Sequence, residues 1–101
     1  MADRPIFRID IPVHLADVIR LFHPDLKRSV RAAIDEIAIN PHCGEPLRGE
    51  LEGMWKYRVR RFRIVYEVER TPRTVRLLAV APRREVYEEM AARVKTARSK
   101  K

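Results

Sequence analysis

Residues 55–69 alternate in character twice over. Trp55, Tyr57 and Val59 interleave with Lys56, Arg58 and Arg60, and Phe62, Ile64, Tyr66 and Val68 interleave with Arg63, Val65, Glu67 and Glu69. A two-residue period is that of a strand with one buried face. The two runs predict antiparallel strands joined at Arg60-Arg61. Thr71-Pro72-Arg73 reads as a second turn. Thr74 to Ala81 is more continuously apolar, which suits a central strand covered on both faces. The chain has 101 residues, enough for one domain with a small core and too few for a large internal ligand cavity.

The first half supplies helices. Ile6 to Ile11, bounded by Pro5 and Pro12, reads as a short strand. Leu15, Val18, Ile19 and Phe22 then recur at helical spacing, and His23-Pro24-Asp25 interrupts them. Pro24 suits the first turn of a new helix, where its missing N–H has no partner to lose. Leu26, Val30, Ala33, Ile34, Ile37 and Ala38 form the stripe of that second helix. It ends at Asn40-Pro41, because proline disfavours helical geometry in the residue before it. The helices are joined too tightly to diverge, so a helical hairpin is expected. Residues 41–53 carry Pro41, Gly44, Pro46, Gly49 and Gly53 and read as a loop. Pro82 is expected to open a C-terminal helix bearing Val86, Met90 and Val94, with Tyr87 and Ala91 beside them.

The predicted order is β-α-α-β-β-β-α. It is an α+β fold, with a helical hairpin and a C-terminal helix packed on a small, mainly antiparallel four-stranded sheet. A single domain spans residues 1–95, and residues 96–101 form a basic tail that should fray.

Charge separates the halves. Residues 1–53 hold 7 basic and 9 acidic side chains, whereas residues 54–101 hold 15 and 5. The formal excess of +8 therefore lies wholly in the second half. A one-sided basic field points to a polyanion or an acidic protein partner. Other classes are disfavoured. One cysteine, Cys43, allows no internal disulfide and suggests a reducing compartment. No apolar run is long enough for a transmembrane helix, and the charged N-terminus lacks the core of a signal peptide. His42-Cys43 lacks the spaced partners of a zinc site. The second helix balances Lys27, Arg28 and Arg31 with Asp25, Asp35 and Glu36, unlike a DNA-recognition helix.

Side chains alternate across a sheet. If Tyr57, Val59, Phe62, Ile64 and Tyr66 face the core, Lys56, Arg58 and Arg63 share the other face. Arg76 alternates with Val75 and Leu77 and is expected to join them, with Arg83 and Arg84 at the rim. Guanidinium groups hold phosphate through paired hydrogen bonds and stay charged. Read from spacing alone, such a face is either a solvated surface or an anion platform. Trp55, Tyr57, Phe62 and Tyr66 read as core residues rather than base-stacking platforms.

Leu47-Arg48-Gly49, Leu51-Glu52-Gly53-Met54-Trp55-Lys56-Tyr57-Arg58-Val59, Phe62-Arg63-Ile64-Val65-Tyr66-Glu67-Val68 and Arg83-Arg84-Glu85-Val86-Tyr87, in that order, resemble the RelE/ParE superfamily of bacterial toxins. The likeness covers almost the whole chain. It implies a RelE-like fold and a cytoplasmic toxin, neutralised by a cognate antitoxin with an acidic toxin-binding segment. The RelE branch implies a ribosome-dependent endoribonuclease that cuts mRNA with no metal or cofactor. The ParE branch implies a DNA gyrase inhibitor without nuclease chemistry. Carried over by position, Arg58, Arg63, Arg83 and Tyr87 are the catalytic candidates, and Lys56, Arg60, Arg61, Arg76 and Arg84 the RNA-binding ones. Tyr87 serves equally well as a helix packing residue. The chain departs from the nuclease pattern in carrying arginine where lysines stand, and arginine is a poor general base. It departs again at Arg60-Arg61, a turn where relatives place glycine, so Arg60 is expected in the turn more than in the patch.

Overall fold

The computed structural model describes residues 6–82. The expected C-terminal helix, the basic tail, Arg83, Arg84 and Tyr87 lie outside the described residues. Strand β1 (Arg8–Asp10) leads through Pro12 into helix α1 (Val13–Arg20). Helix α2 (Pro24–Ile39) follows after three residues. His23 caps it by accepting the Asp25 N–H at 3.4 Å, and Pro24 occupies the first turn. Asn40 ends it, and the Asn40 side chain then accepts the His42 N–H at 3.2 Å, starting a short 3-10 turn over Pro41–Cys43.

The predicted loop contains a fifth strand, β2 (Glu45–Pro46), paired antiparallel with β3 (Met54–Val59). The Leu47 N–H extends this contact by donating to the Met54 carbonyl at 2.9 Å. Two residues carry no readable period, and proline is tolerated because the strand is an edge. β4 (Phe62–Arg70) and β5 (Arg73–Pro82) complete a five-stranded sheet of order β1-β5-β4-β3-β2. β1 runs parallel to β5, and every other pairing is antiparallel. Pro82 closes β5 opposite Phe62, so the strand takes the residue expected to open a helix.

Both helices lie on one face. Leu15, Val30, Ala33 and Ile37 pack on Val59, Ile64, Tyr66, Val75, Leu77 and Val80. Val30, Ile37, Ile64, Tyr66, Val75 and Leu77 are completely buried. β5 reaches this face through odd-numbered residues first and an even-numbered one later. The cause is a bulge: Tyr66 pairs with Leu77 but Val65 with Ala79, leaving Leu78 unmatched. Leu78 and Ala79 therefore join Leu47, Val65, Leu51, Met54 and Ala81 in a smaller apolar cluster on the opposite face.

Two positions fix the hairpin and the loop that frames it. Arg60, first residue of the β3–β4 turn, adopts φ 57°, a region that costs a residue with a Cβ about 1–2 kcal/mol. Gly44 passes so close to β3 and β4 that a Cβ would stand 2.4 Å from the Lys56 carbonyl oxygen and 2.6 Å from the Tyr66 hydroxyl. Arg60→Gly is expected to stabilise the fold by roughly 0.5–1 kcal/mol, the relieved strain exceeding the added chain entropy of glycine. Gly44→Ala is expected to destabilise it by about 2–3 kcal/mol through overpacking. Urea unfolding midpoints measure both.

Candidate nucleic-acid interface

The pleat assigns the basic side chains. Along β3 and β4, Tyr57 stands opposite Ile64 and Val59 opposite Phe62 on the helix side. Lys56 stands opposite Val65 and Arg58 opposite Arg63 on the other side, with Arg63 also opposite Ala81 of β5. Lys56, Arg58 and Arg63 thus share the face away from the helices. Arg58 is exposed and Arg63 half-buried. One Arg63 guanidinium N–H donates to the Phe62 carbonyl at 3.2 Å, which holds that head near its own strand. Lys56 Nζ lies 3.6 Å from a Glu45 carboxylate oxygen on β2. Arg60 and Arg61 are exposed in the adjoining turn.

Arg76 shares this face but not this patch. Its guanidinium meets Glu67 at 2.7 Å, Glu69 at 3.4 Å and Asp10 at 3.4 Å. These carboxylates hold its pKa above the usual arginine range, the Glu67 hydrogen bond being the largest cause. Glu67 follows Arg63 by four residues, about 13 Å along a strand. The face is therefore basic at the β3–β4 turn, apolar in the middle around Val65 and Ala79, and acidic at the β1 end. The sequence expectation of a cationic face extending to Arg76 is corrected by this arrangement. Glu67 and Glu69 already share the parity of Arg63 in the sequence. Asp10 is brought in only by the parallel pairing of β1 with β5.

The two side chains paired in register at the basic end are arginines, which clamp anions well and are poor general bases. Like charges directly opposite one another, as at Arg58 and Arg63, are mutually repulsive. An anion laid between them removes that repulsion, so the pair is suited to holding a phosphate and its developing charge. The tyrosines lie on the other side of the sheet. Tyr57 donates its hydroxyl to Glu36 of α2; that hydrogen bond, with burial, pushes its pKa up to about 12. Tyr66 donates to the Pro41 carbonyl at 2.7 Å, and burial raises its pKa as well. The Cys43 thiol is raised by burial and by Glu36. Trp55, Tyr57, Phe62 and Tyr66 all pack with the main core, with His42 edge-on to Trp55 at 4.9 Å. Among the described residues no three His, Cys, Asp or Glu side chains converge in a way that holds a metal.

Among the described residues, a helical pair on one side of a small mixed sheet and clustered arginines at one end of the other define a basic α+β protein. The sequence narrows this further: residues 12–91 match the family described as ParE-like toxin of type II bacterial toxin-antitoxin system. The chain belongs to that family and is a toxin of the RelE/ParE superfamily. Solved structures share the fold. The isolated RelE toxin of E. coli superposes with a TM-score of 0.68 at 22% identity, over 87% of this chain and 98% of that one. The RelBE2 toxin-antitoxin complex of Mycobacterium tuberculosis gives 0.68 at 22% identity, over 77% and 92%. A YoeB/ParE toxin of Agrobacterium tumefaciens gives 0.67 at 18% identity, over 75% and 98%. No curated protein sequence matches the chain.

The two core tyrosines generate a pH prediction. Their pKa values are raised in the folded state, so their contribution to stability is complete below the ordinary tyrosine value and is lost as pH rises through the folded value. Unfolding free energy is expected to fall between about pH 10 and pH 12. The fall should be smaller in Tyr57→Phe, read from urea midpoints across that window.

Proposed function

We propose that this toxin acts on RNA, cutting mRNA on the ribosome through the arginine end of its sheet. The observation that carries the reading is the in-register pair Arg58–Arg63, which forms no ion pair with any described carboxylate. In RNA cleavage by transesterification the 2′-oxygen attacks the adjacent phosphorus while the bond to the 5′-oxygen breaks. The negative charge of the pentacovalent transition state grows on the non-bridging oxygens. Arg58 and Arg63 stabilise that charge, and fixed guanidiniums do so without reorganising. Arg83, which follows β5 in sequence, is assigned the same task. Lys56, Arg61 and Arg84 hold flanking phosphates, and Arg60 does so from the turn. Arginine does not take the 2′-proton, so that role falls to Tyr87 or to a group of the ribosome.

A second reading, inhibition of DNA gyrase, draws support from a specific feature. The in-register pair at the basic end, Arg58 and Arg63, is made of poor general bases, and binding needs none. Induced expression of the wild type beside Arg63→Ala separates the two. The nuclease reading expects translation to stop with new RNA ends, and cleavage to fall about 100-fold in the variant. Arrested DNA synthesis with intact mRNA would sink it.

The cognate antitoxin is part of the proposal. An open groove of about 340 Å³ runs between the helices, floored by Ile19, Val30 and Ile34 and edged by Arg20, Lys27 and Arg31 against the single carboxylate of Asp35. Its chemistry fits an acidic amphipathic segment. Ala16→Arg, which narrows the groove, is expected to weaken the complex with the adjacent gene's product at least tenfold in a pull-down titration; unchanged affinity would place the partner elsewhere.

A further inference from the structure

A second arginine pair stands at the opposite end of β4, on the other face of the sheet. Arg70 is directly opposite Arg73 across the β4–β5 turn, and they are on the helix side, two residues beyond the Val68–Val75 pair. Seven residues of strand, about 23 Å, separate Arg70 from Arg63. Both side chains line an open cavity of about 620 Å³ with Phe7, Ile39, Asn40 and His42.

Several observations leave these guanidiniums waiting for an acceptor. The nearby strand carboxylates, Glu67 and Glu69, point to the far face and are committed to Arg76. No described carboxylate forms an ion pair with Arg70 or Arg73. The end of a helix usually offers free carbonyls to such groups. Here the Glu36 carbonyl accepts from Asn40 N–H, Ala38 from Phe7 N–H, Asn40 from Cys43 N–H and Pro41 from the Tyr66 hydroxyl. Arg73 is also braced, its guanidinium carbon 6.0 Å from the centre of the Phe7 ring. The Asn40 side-chain oxygen is taken by His42 N–H, which leaves the amide NH₂ of Asn40 as a further donor at the rim. Two repelling, unpaired cations held in register beside additional donors describe an anion cradle.

We propose that this cavity is a phosphate-binding pocket, separate from the arginine end of the other face, that takes the phosphate of a nucleotide through Arg70 and Arg73. Phosphate fits the donor set better than carboxylate does, because two guanidinium forks and an amide supply more N–H groups than two oxygens satisfy. The rings of Phe7 and His42 give the attached nucleoside an aromatic edge. The nucleotide is either free or one unit of a strand, and the proposal does not depend on whether the toxin cuts RNA.

The test uses the full chain and the variants Arg70→Gln and Arg73→Gln. Arg70 braces no ring, so Arg70→Gln keeps the question open should Arg73→Gln misfold. Thermal unfolding is followed with uridine 5′-monophosphate against uridine at matched ionic strength, and binding of a single-stranded RNA ten-mer against salt. A midpoint raised by the monophosphate in the wild type but not in Arg70→Gln supports a free nucleotide. No monophosphate effect, but RNA affinity about tenfold lower in Arg70→Gln with a salt slope shallower by about 0.7, supports a strand phosphate. Equal behaviour of wild type and both variants in both assays overturns the proposal. So does an oligoglutamate peptide that matches the monophosphate shift and loses it in the same variants, since the pocket would then be a carboxylate site.

Discussion

β4 is hydrogen-bonded along both edges, to β3 on one side and β5 on the other. That double pairing locks the parity of every residue on it. Ile64, Tyr66 and Val68 go to the helices, while Arg63, Val65 and Glu67 go to the opposite face. A slip of one residue would exchange the two sets. It would bury Arg63 and Glu67 unpaired and expose Ile64 and Tyr66, each worth about 1.5–3 kcal/mol when buried. The site therefore has no independent means of placing its arginines: core packing on one side of the sheet sets the charge pattern on the other. Tyr66 ties the same strand to the loop after α2 through the Pro41 carbonyl, and Gly44 permits the close approach.

The two faces distribute charge by different means. On the face away from α1 and α2, Arg76 is enclosed by three carboxylates from two strands, and among the described residues Arg58 and Arg63 form no ion pair with any. On the helix face, Arg70 and Arg73 stand by a helix end where the Glu36, Ala38, Asn40 and Pro41 carbonyls each already accept a hydrogen bond. Repulsion between neighbouring cations is a cost to folding in both pairs. It is a cost that a bound anion would cancel.

Much of this was legible in the sequence, and the failures have physical reasons. β3, β4 and α2 are long enough for their periods to be read, so their faces and the grouping of Lys56, Arg58 and Arg63 followed from parity alone. β2 is two residues long and shows no period. The bulge at Leu78 hides inside an apolar run, where either parity looks buried. Pro82 reads as a helix start because proline suits a first turn, but it suits the last residue of a strand equally well. Parity groups Arg76 with the basic side chains but does not show which neighbours face it: Glu67 and Glu69 reach it through the β4–β5 register, and Asp10 through the parallel pairing of β1. The pocket at Arg70 and Arg73 was invisible for the same reason: Phe7, Asn40 and Arg73 are distant in sequence and meet only through the packing of α2 on the sheet.

Charge grades along the face away from α1 and α2. With cations at the β3–β4 turn and a net acidic knot near β1, the surface behaves as a dipole lying in the plane of the sheet. An elongated anion approaching it experiences a torque as well as an attraction. One end of the anion is drawn toward Arg58 and Arg63 while the rest is turned away from Glu67, Glu69 and Asp10. Such a field gives an elongated anion a heading before any hydrogen bond forms, and salt that screens the attraction weakens this alignment too.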